Sequence, residues 1–481
     1  MARHHGMNEM EGMYAFCHYG YEGDPDQDRF GRIFDDLPPL NTPPGDLRDL
    51  GKPDGPMRQE GDADRTDTVS AGQIFFGQFI DHDITLDIST SLSSIAEAGE
   101  VSNVRTPTLD LDNVYGMGPE ANPFLYHDEG EFESVKLLTA NDGTAVDQKE
   151  KFREHDLWRS PHGRAVIGDH RNDENRVISQ LQLAMIRFHN AVADHLYDEG
   201  LEGEELFEEA RRLVRWHHQY VVIEDYLPTI CGKAVVDRIK GRGRSFYCPE
   251  DETPFIPIEF AVAAYRFGHS MLPQTIQVQE CGSEHPLFGP PFGNGFKPLE
   301  NEEAAVDWNL LTGTDANVDV QNAEELDTKL APLLLKLPFI NEGESSLASR
   351  NLLRGQVFLL PSGERVAQRM ERPDEEIEDV AEEAREMAES TADLVSGIPL
   401  WFYILAEAEE IGRETKPEHF EDGEGLGPVG AQIVAETLYG LIELDERSYL
   451  ASNRNWDPKD DGIGPRTLGE MLTFGQPDEI P

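Results

Sequence analysis

The sequence predicts a mainly α fold with few short strands, and three observations carry that expectation. Apolar residues recur at helical spacing over long stretches, of which NRVISQLQLAMIRFHNAVADHLYDEG, EELFEEARRLVRWHHQYVVIEDYLPTI and VGAQIVAETLYGLIEL are the clearest. Patterns of strand type are short wherever they occur. No internal repeat is present, and no apolar run approaches the ~18 residues of a membrane-spanning helix.

At 481 residues the chain can bury a large core, in two or three lobes, and 38% hydrophobic content is enough for a globular protein. Its formal net charge is −52, from 93 acidic against 41 basic residues spread along the whole length. Such a surface repels phosphate backbones and anionic lipid, so neither nucleic acid nor membrane is an expected partner. It also repels itself, and ~1 M salt shortens the Debye length to ~3 Å and removes most of that repulsion. A halophilic, high-salt setting is therefore expected. The four cysteines, Cys17, Cys231, Cys248 and Cys281, form no CxxC pair and suit a reducing compartment or at most two bridges. The first residues, MARHHGMNEMEGMYAFCHYG, show no apolar signal core and no twin arginine, so a cytoplasmic location is expected.

Taken in order, residues 1–70 are rich in Gly, Pro and Asp and read as a coil-rich arm, with one catalytic domain over 71–481. The stretch GQFIDHDITLD, Gly77 to Asp87, follows an apolar run and sets His82 between Asp81 and Asp83. On a helix, at about 100° per residue, these three side chains point three ways, so one can face a cofactor while a neighbour faces a metal ion. In TPTLDLDNVYG, Thr106, Thr108, Asp110 and Asp112 fall on alternate positions and share one side of an extended loop. Their oxygen ligands suit a hard cation such as Ca²⁺, although solvated aspartates in a turn give the same pattern.

Residues 117–165 read as loop and turn. GDHRNDENRV then opens a helix, with Asn172 or Asp173 as candidate caps and with Arg171 and Glu174 three apart near its start. His189, His195, His217 and His218 read as core or surface histidines without chemistry. FIPIEFAVAAYRFGHSMLPQTIQV contains an apolar helix from which His269 projects, equally consistent with a paired core histidine and an axial metal ligand. Residues 280–345 are loop-rich. SSLASRNLLRGQVFLLPSGERVAQRM is helical with Asn351 and Arg354 three apart, and DEEIEDVAEEAREMAESTAD is an acidic helix with a solvated face. PLWFYILAEAEEIG and VGAQIVAETLYGLIEL are amphipathic helices separated by a Gly-rich turn.

GQFIDHD, T-x-T-x-D-x-D before VYG, GDHRNDE, YRFGHS and RNLLRG occur in that order. Together they resemble the animal-type haem peroxidase family of the peroxidase–cyclooxygenase superfamily, over roughly residues 70–450, and most nearly its microbial members. The resemblance implies a helical fold around a central haem b. It makes His82 the distal histidine, the acid–base that moves a peroxide proton. Arg171 becomes the distal arginine, Gln78 the distal glutamine, and His269 the haem-iron ligand with Asn351 on its other ring nitrogen. Arg354 joins this cofactor-binding set. Asp81 and Glu174 match the carboxylates that esterify haem methyl groups in mammalian members. Asn175 stands where some members carry a methionine that forms a third, sulfonium link, so that link is not expected. Asp83, Thr106, Thr108, Asp110 and Asp112 match a Ca²⁺ site, Thr108 through its carbonyl and Asp112 in place of a common serine.

The implied reaction is reduction of hydrogen peroxide through a ferryl intermediate, with a phenol, a halide or thiocyanate as the small donor. Two alternatives stand beside it. Fatty-acid oxygenases of the superfamily carry tyrosine three residues before the proximal histidine, whereas this chain has Arg266 there and Tyr265 one further back. A calcium-stabilised scaffold without catalysis would be signalled by loss of His82, Arg171 or His269, and all three are present.

Overall fold

The helix Ala71–Ile84 is the axis of the molecule, because its sequence buries nearly every side of it. Ile74, Phe75, Phe76, Phe79 and Ile80 are all buried, each worth ~1.5–3 kcal/mol in apolar burial. The helix ends at Thr85, whose backbone turns extended while its N–H still reaches the carbonyl of Asp81. Gly77 lies where the Tyr226 hydroxyl presses on the helix, and a Cβ there would collide with it. The computed structural model describes residues 30–477, apart from 87–90, 93, 102, 281, 315, 339, 341–342, 389–391, 393 and 461–462. Residues 1–29 of the expected N-terminal arm, with Cys17, and also Asp87 and Cys281, lie outside the described residues.

Of the long helices, Arg176–Asp198 packs directly on this axis and Gly203–Val221 packs on Arg176–Asp198, while Leu400–Glu410 and Pro428–Leu444 pack on the segment Ala264–His269 and Leu347–Val357 packs on Leu400–Glu410. The described strands form four two-stranded pairs, such as Arg65–Ser70 antiparallel to Asn322–Glu324. The mainly helical reading holds. Cys231 is buried and Cys248 exposed, both as free thiols.

Several local expectations are corrected. Residues 30–70 are not only coil: PGDLRDLG forms the helix Pro44–Gly51, started by proline in its first turn, and buries Leu47 and Leu50 toward Leu347–Val357. The cap of Arg176–Asp198 is Asn175, whose side chain accepts from Ile178 N, whereas Asn172 and Asp173 lie in a preceding 3₁₀ turn, His170–Asp173. The run leading to His269 is no α-helix but a π-helical segment, Glu259–Ala263, followed by a 3₁₀ segment, Ala264–His269. A second π-helical segment, Val222–Tyr226, interrupts the expected long helix. The expected helix over SSLASRNLLRGQVFLLPSGERVAQRM is two, Leu347–Val357 and Gly363–Arg369, with Leu359 at positive φ and Pro361 between them. The turn before Pro428–Leu444 carries a hairpin, Arg413–Lys416 with His419–Glu421.

Candidate active site

A cavity of about 430 Å³ lies between the Ala71–Ile84 helix and the Ala264–His269 segment. Gln78, Asp81, His82, Arg171 and Glu174 line one side, and Ala261, Arg266, Phe267 and His269 the other. Residues collected from four distant motifs thus meet at one place. Leu272, Leu287, Phe288, Leu334, Leu337 and Leu347 give apolar walls, and Arg350 and Arg354 add two cations from one helix.

His82 lies one turn after Gln78 on the central helix. Its Nδ1 lies 2.6 Å from Asn172 Oδ1, which leaves Nε2 as the free ring nitrogen, 3.9 Å from Glu174 Oε1. Burial first, then the Arg171 charge, lowers the imidazole pKa to about 3, so the ring is neutral at neutral pH. Gln78 is pinned: its Nε2 donates to Glu174 Oε1 at 2.5 Å, and its Oε1 accepts from Asn175 Nδ2 at 3.3 Å. Arg171 donates to the carbonyl of His82 at 3.0 Å and to Asp169 Oδ2 at 2.7 Å. Burial opposes the Asp169 charge, but the hydrogen bonds and charge of Arg171 and the charge of Arg105 overcome it and hold its pKa well below the usual range. Burial raises the Asp81 carboxyl, to which Thr85 Oγ1 donates at 2.9 Å, and raises Glu174 to about 7. Burial thus works against the charged form of both groups.

On the opposite side, Asn351 Oδ1 accepts from Arg266 Nη1 at 2.8 Å, and Asn351 Nδ2 faces His269 Nδ1 at 2.8 Å. Burial, then the Arg266 charge, lowers His269 to about 3, so it too is neutral. Tyr226 and Tyr265 also line the cavity; both are buried, and their side chains interact with each other.

At the C-terminal end of the Ala71–Ile84 helix, Asp83 brings a carboxylate oxygen within 4.8 Å of those of Asp110 and Asp112, which lie within 4.8 Å of each other. Thr106 Oγ1 donates to Asp110 at 3.1 Å and accepts from Thr108 Oγ1 at 3.2 Å. The loop is not uniformly extended, because Leu111 takes a left-handed conformation (φ 61°) and donates its N–H to Asp83. Asp83 is fully buried, and one of its oxygens has no hydrogen-bond partner. Burial and its acidic neighbours raise its pKa well above the usual value. Such a cluster is costly unless a cation or protons neutralise it. Arg105 meets part of that need by pairing with Asp112 at 2.9 Å, and its other arm pairs with Asp169.

Sequence reasoning missed Asp169, Asn172, Gln182, Arg105 and Tyr226. Only Asp169 carried a signal, as an acidic residue two before Arg171 at the start of a turn. Of the remaining histidines, His189 is buried between the Tyr115 hydroxyl and the Val135 carbonyl, and His195 is exposed beside Glu199, both as expected.

Residues 87–391 match the family model described as animal haem peroxidase. The chain is 30% identical over 178 residues to the peroxidasin homolog pxn-2 of Caenorhabditis elegans, covering 35% of this chain and 13% of that protein. The chain thus spans a small part of that relative's length. Among solved structures, it superposes on peroxidase A of Dictyostelium discoideum with a TM-score of 0.64 at 16% identity, covering 93% of each chain. It superposes on a fatty acid alpha-dioxygenase of Arabidopsis thaliana with a TM-score of 0.59 at 16% identity, covering 91% of this chain and 76% of that one. At these identities the two structures speak for the fold alone.

Proposed function

The chain belongs to the animal haem peroxidase family, and on that premise we propose that it binds haem b between His82 and His269 and reduces hydrogen peroxide with a small donor. The observation that carries the reading is the single cavity in which a neutral imidazole beside a fixed arginine faces a second, amide-backed imidazole.

The residues present fit the group. A flat, largely apolar macrocycle with acidic side arms suits leucine and phenylalanine walls with Arg350 and Arg354 beside them. His269 would hold the iron, with Asn351 against its other nitrogen. Asp81 and Glu174 would form ester links, because burial that disfavours a carboxylate does not penalise a neutral ester. When bound, haem iron supplies the redox equivalents exchanged between peroxide and donor.

The protein's part is proton handling and charge. His82 Nε2 takes the proton from one peroxide oxygen and returns it to the other, which leaves as water. Arg171 stabilises the negative charge that develops as the bond between the oxygens breaks. Gln78, held by Glu174 and Asn175, offers its amide to water or a halide beside His82. Asp83, Asp110 and Asp112, with Thr106 and the Thr108 carbonyl, would hold Ca²⁺, which fixes the residue next to His82. The net charge of −52 extends the proposal to a halophilic setting, in which salt screens the surface.

The test is peroxide-dependent oxidation of a phenol, iodide, bromide and thiocyanate by the haem-loaded chain. Turnover that falls by ~10²-fold or more in His82→Ala supports the reading; no turnover with any donor overturns it. A second reading, fatty-acid oxygenation, is favoured by one observation, the buried tyrosine Tyr265 lining the cavity. Oxygen uptake with a polyunsaturated fatty acid, lost in Tyr265→Phe, would establish it instead.

A further inference from the structure

An imidazole carries its single proton on either nitrogen, and only the form protonated at Nδ1 leaves a basic lone pair on Nε2. Which form His82 takes follows from a chain of buried amides that ends on a backbone carbonyl. The carbonyl of Asn113 can only accept, and Gln182 Nε2 donates to it at 3.3 Å. Gln182 therefore turns Oε1 the other way, where it accepts from Asn172 Nδ2 at 2.7 Å. Asn172 in turn presents Oδ1 to His82 Nδ1 at 2.6 Å. An amide oxygen only accepts, so the proton sits on Nδ1.

Turning either amide over would set two NH₂ groups or two oxygens face to face. Asn113, Asn172 and Gln182 are fully buried, so no solvent would relieve such a clash. The anchor is itself fixed, since Asn113 Nδ2 donates to the carbonyl of Phe79, one turn before His82. One 3₁₀ turn, His170–Asp173, serves both ends of the histidine: Arg171 holds its carbonyl and Asn172 its ring.

We propose that Asn172 and Gln182 are positioning residues that hold His82 in the Nδ1-protonated tautomer and keep Nε2 available as the base for peroxide. This deepens the peroxidase reading and rests on it for its use, but the tautomer itself is measurable without turnover. The charged groups near the ring are Arg171, Asp169, Glu174 and Arg105, and none of them supplies an acceptor to Nδ1.

The test is nitrogen NMR of the full-length chain labelled with ¹⁵N-histidine, with and without haem, His82 being assigned by His82→Gln. Peroxide reaction rates are measured in parallel. Wild type shows a protonated, pyrrole-type Nδ1. In Asn172→Leu that signal shifts toward the other tautomer, and the rate falls roughly tenfold or more, within the range a positioned acid–base supplies. Gln182→Leu frees Asn172 to turn, giving mixed tautomers and a smaller loss of rate.

The rescue is Asn172→Asp combined with Gln182→Leu. A carboxylate accepts whichever way it turns, so the Nδ1-protonated signal returns, and the acid limb of the pH–rate profile moves up because the imidazolium is stabilised. If Asn172→Leu does not fold, Gln182→Leu and the rescue pair carry the test. An unchanged Nδ1-protonated signal in folded Gln182→Leu, or a rescue pair that does not restore that signal, overturns the inference. Expected tautomers without turnover in wild type would sink the peroxidase reading and leave the tautomer assignment standing.

Discussion

Asp169→Asn isolates the electrostatic frame around Arg171 and His82. Asp169 is 1% exposed; it accepts from Arg171 Nη2 at 2.7 Å, from Arg171 Nε at 3.2 Å and from the Arg171 backbone at 2.8 Å, and it pairs with Arg105. Removing one partner of a buried ion pair costs ~3–5 kcal/mol. The lower end applies here, because Arg105 keeps Asp112 at 2.9 Å and Arg171 keeps the His82 carbonyl at 3.0 Å. With an unfolding entropy of ~2.1 cal/mol/K per residue, a chain of this size has about 1 kcal/mol/K in all, so a loss of ~3 kcal/mol lowers Tm by ~3 °C.

The pH dependence has a definite sign. Asp169 has a depressed folded pKa, so its contribution is present above the unfolded value of 3.8 and is lost as pH falls toward the folded one. The gap in Tm between wild type and Asp169→Asn should therefore hold constant from about pH 5 to 8 and narrow below about 4. Calorimetry across that range is the assay. With Arg171 no longer aimed, the peroxide rate should also fall, by ~10²-fold, as for loss of one charge-stabilising donor. A variant with wild-type Tm and wild-type rate would refute the claim that Asp169 holds Arg171 in place.

Three further outcomes follow from the same structure. Adding Ca²⁺ to chelator-treated protein should raise stability by ~2.7 kcal/mol at a hundredfold excess over Kd; the rise should vanish in Asp83→Ala, and an equal rise in that variant would place the ion elsewhere. Raising KCl from about 0.1 M to 1 M, which shortens the Debye length from ~10 Å to ~3 Å, should raise Tm; a flat or falling Tm would contradict the halophilic proposal. After extraction with acidified acetone, haem should stay with wild type and leave the double variant Asp81→Asn, Glu174→Gln; complete release from wild type would mean that neither carboxylate is linked.

What could be read in the sequence was what local spacing encodes. His82, Arg171, His269 and Asn351 sat in recognisable motifs, and the structure brings His82, Arg171 and His269 to one cavity, with Asn351 against His269. Helices such as Pro428–Leu444 were legible because burial on one side imposes their period. The π-helical approach to His269 was not, because IEFAVAAYRFGH satisfies a helical hydropathy pattern whichever hydrogen-bond register the backbone adopts. Asn172 and Gln182 were illegible for a different reason. Their meaning lies in which end of each amide faces which neighbour, and a tertiary contact with the Asn113 carbonyl decides that. Arg105 looked like any loop arginine until folding set it between Asp112 and Asp169.

The most direct test of the central claim is a haem titration of the full-length chain, followed by absorption spectroscopy and compared with His269→Ala. Wild type should take up one equivalent of haem and develop a strong Soret band, and His269→Ala should lose it or show the spectrum of weakly held haem. No haem uptake by folded wild-type protein, or an identical spectrum in the two proteins, would contradict the assignment of this cavity as the haem site.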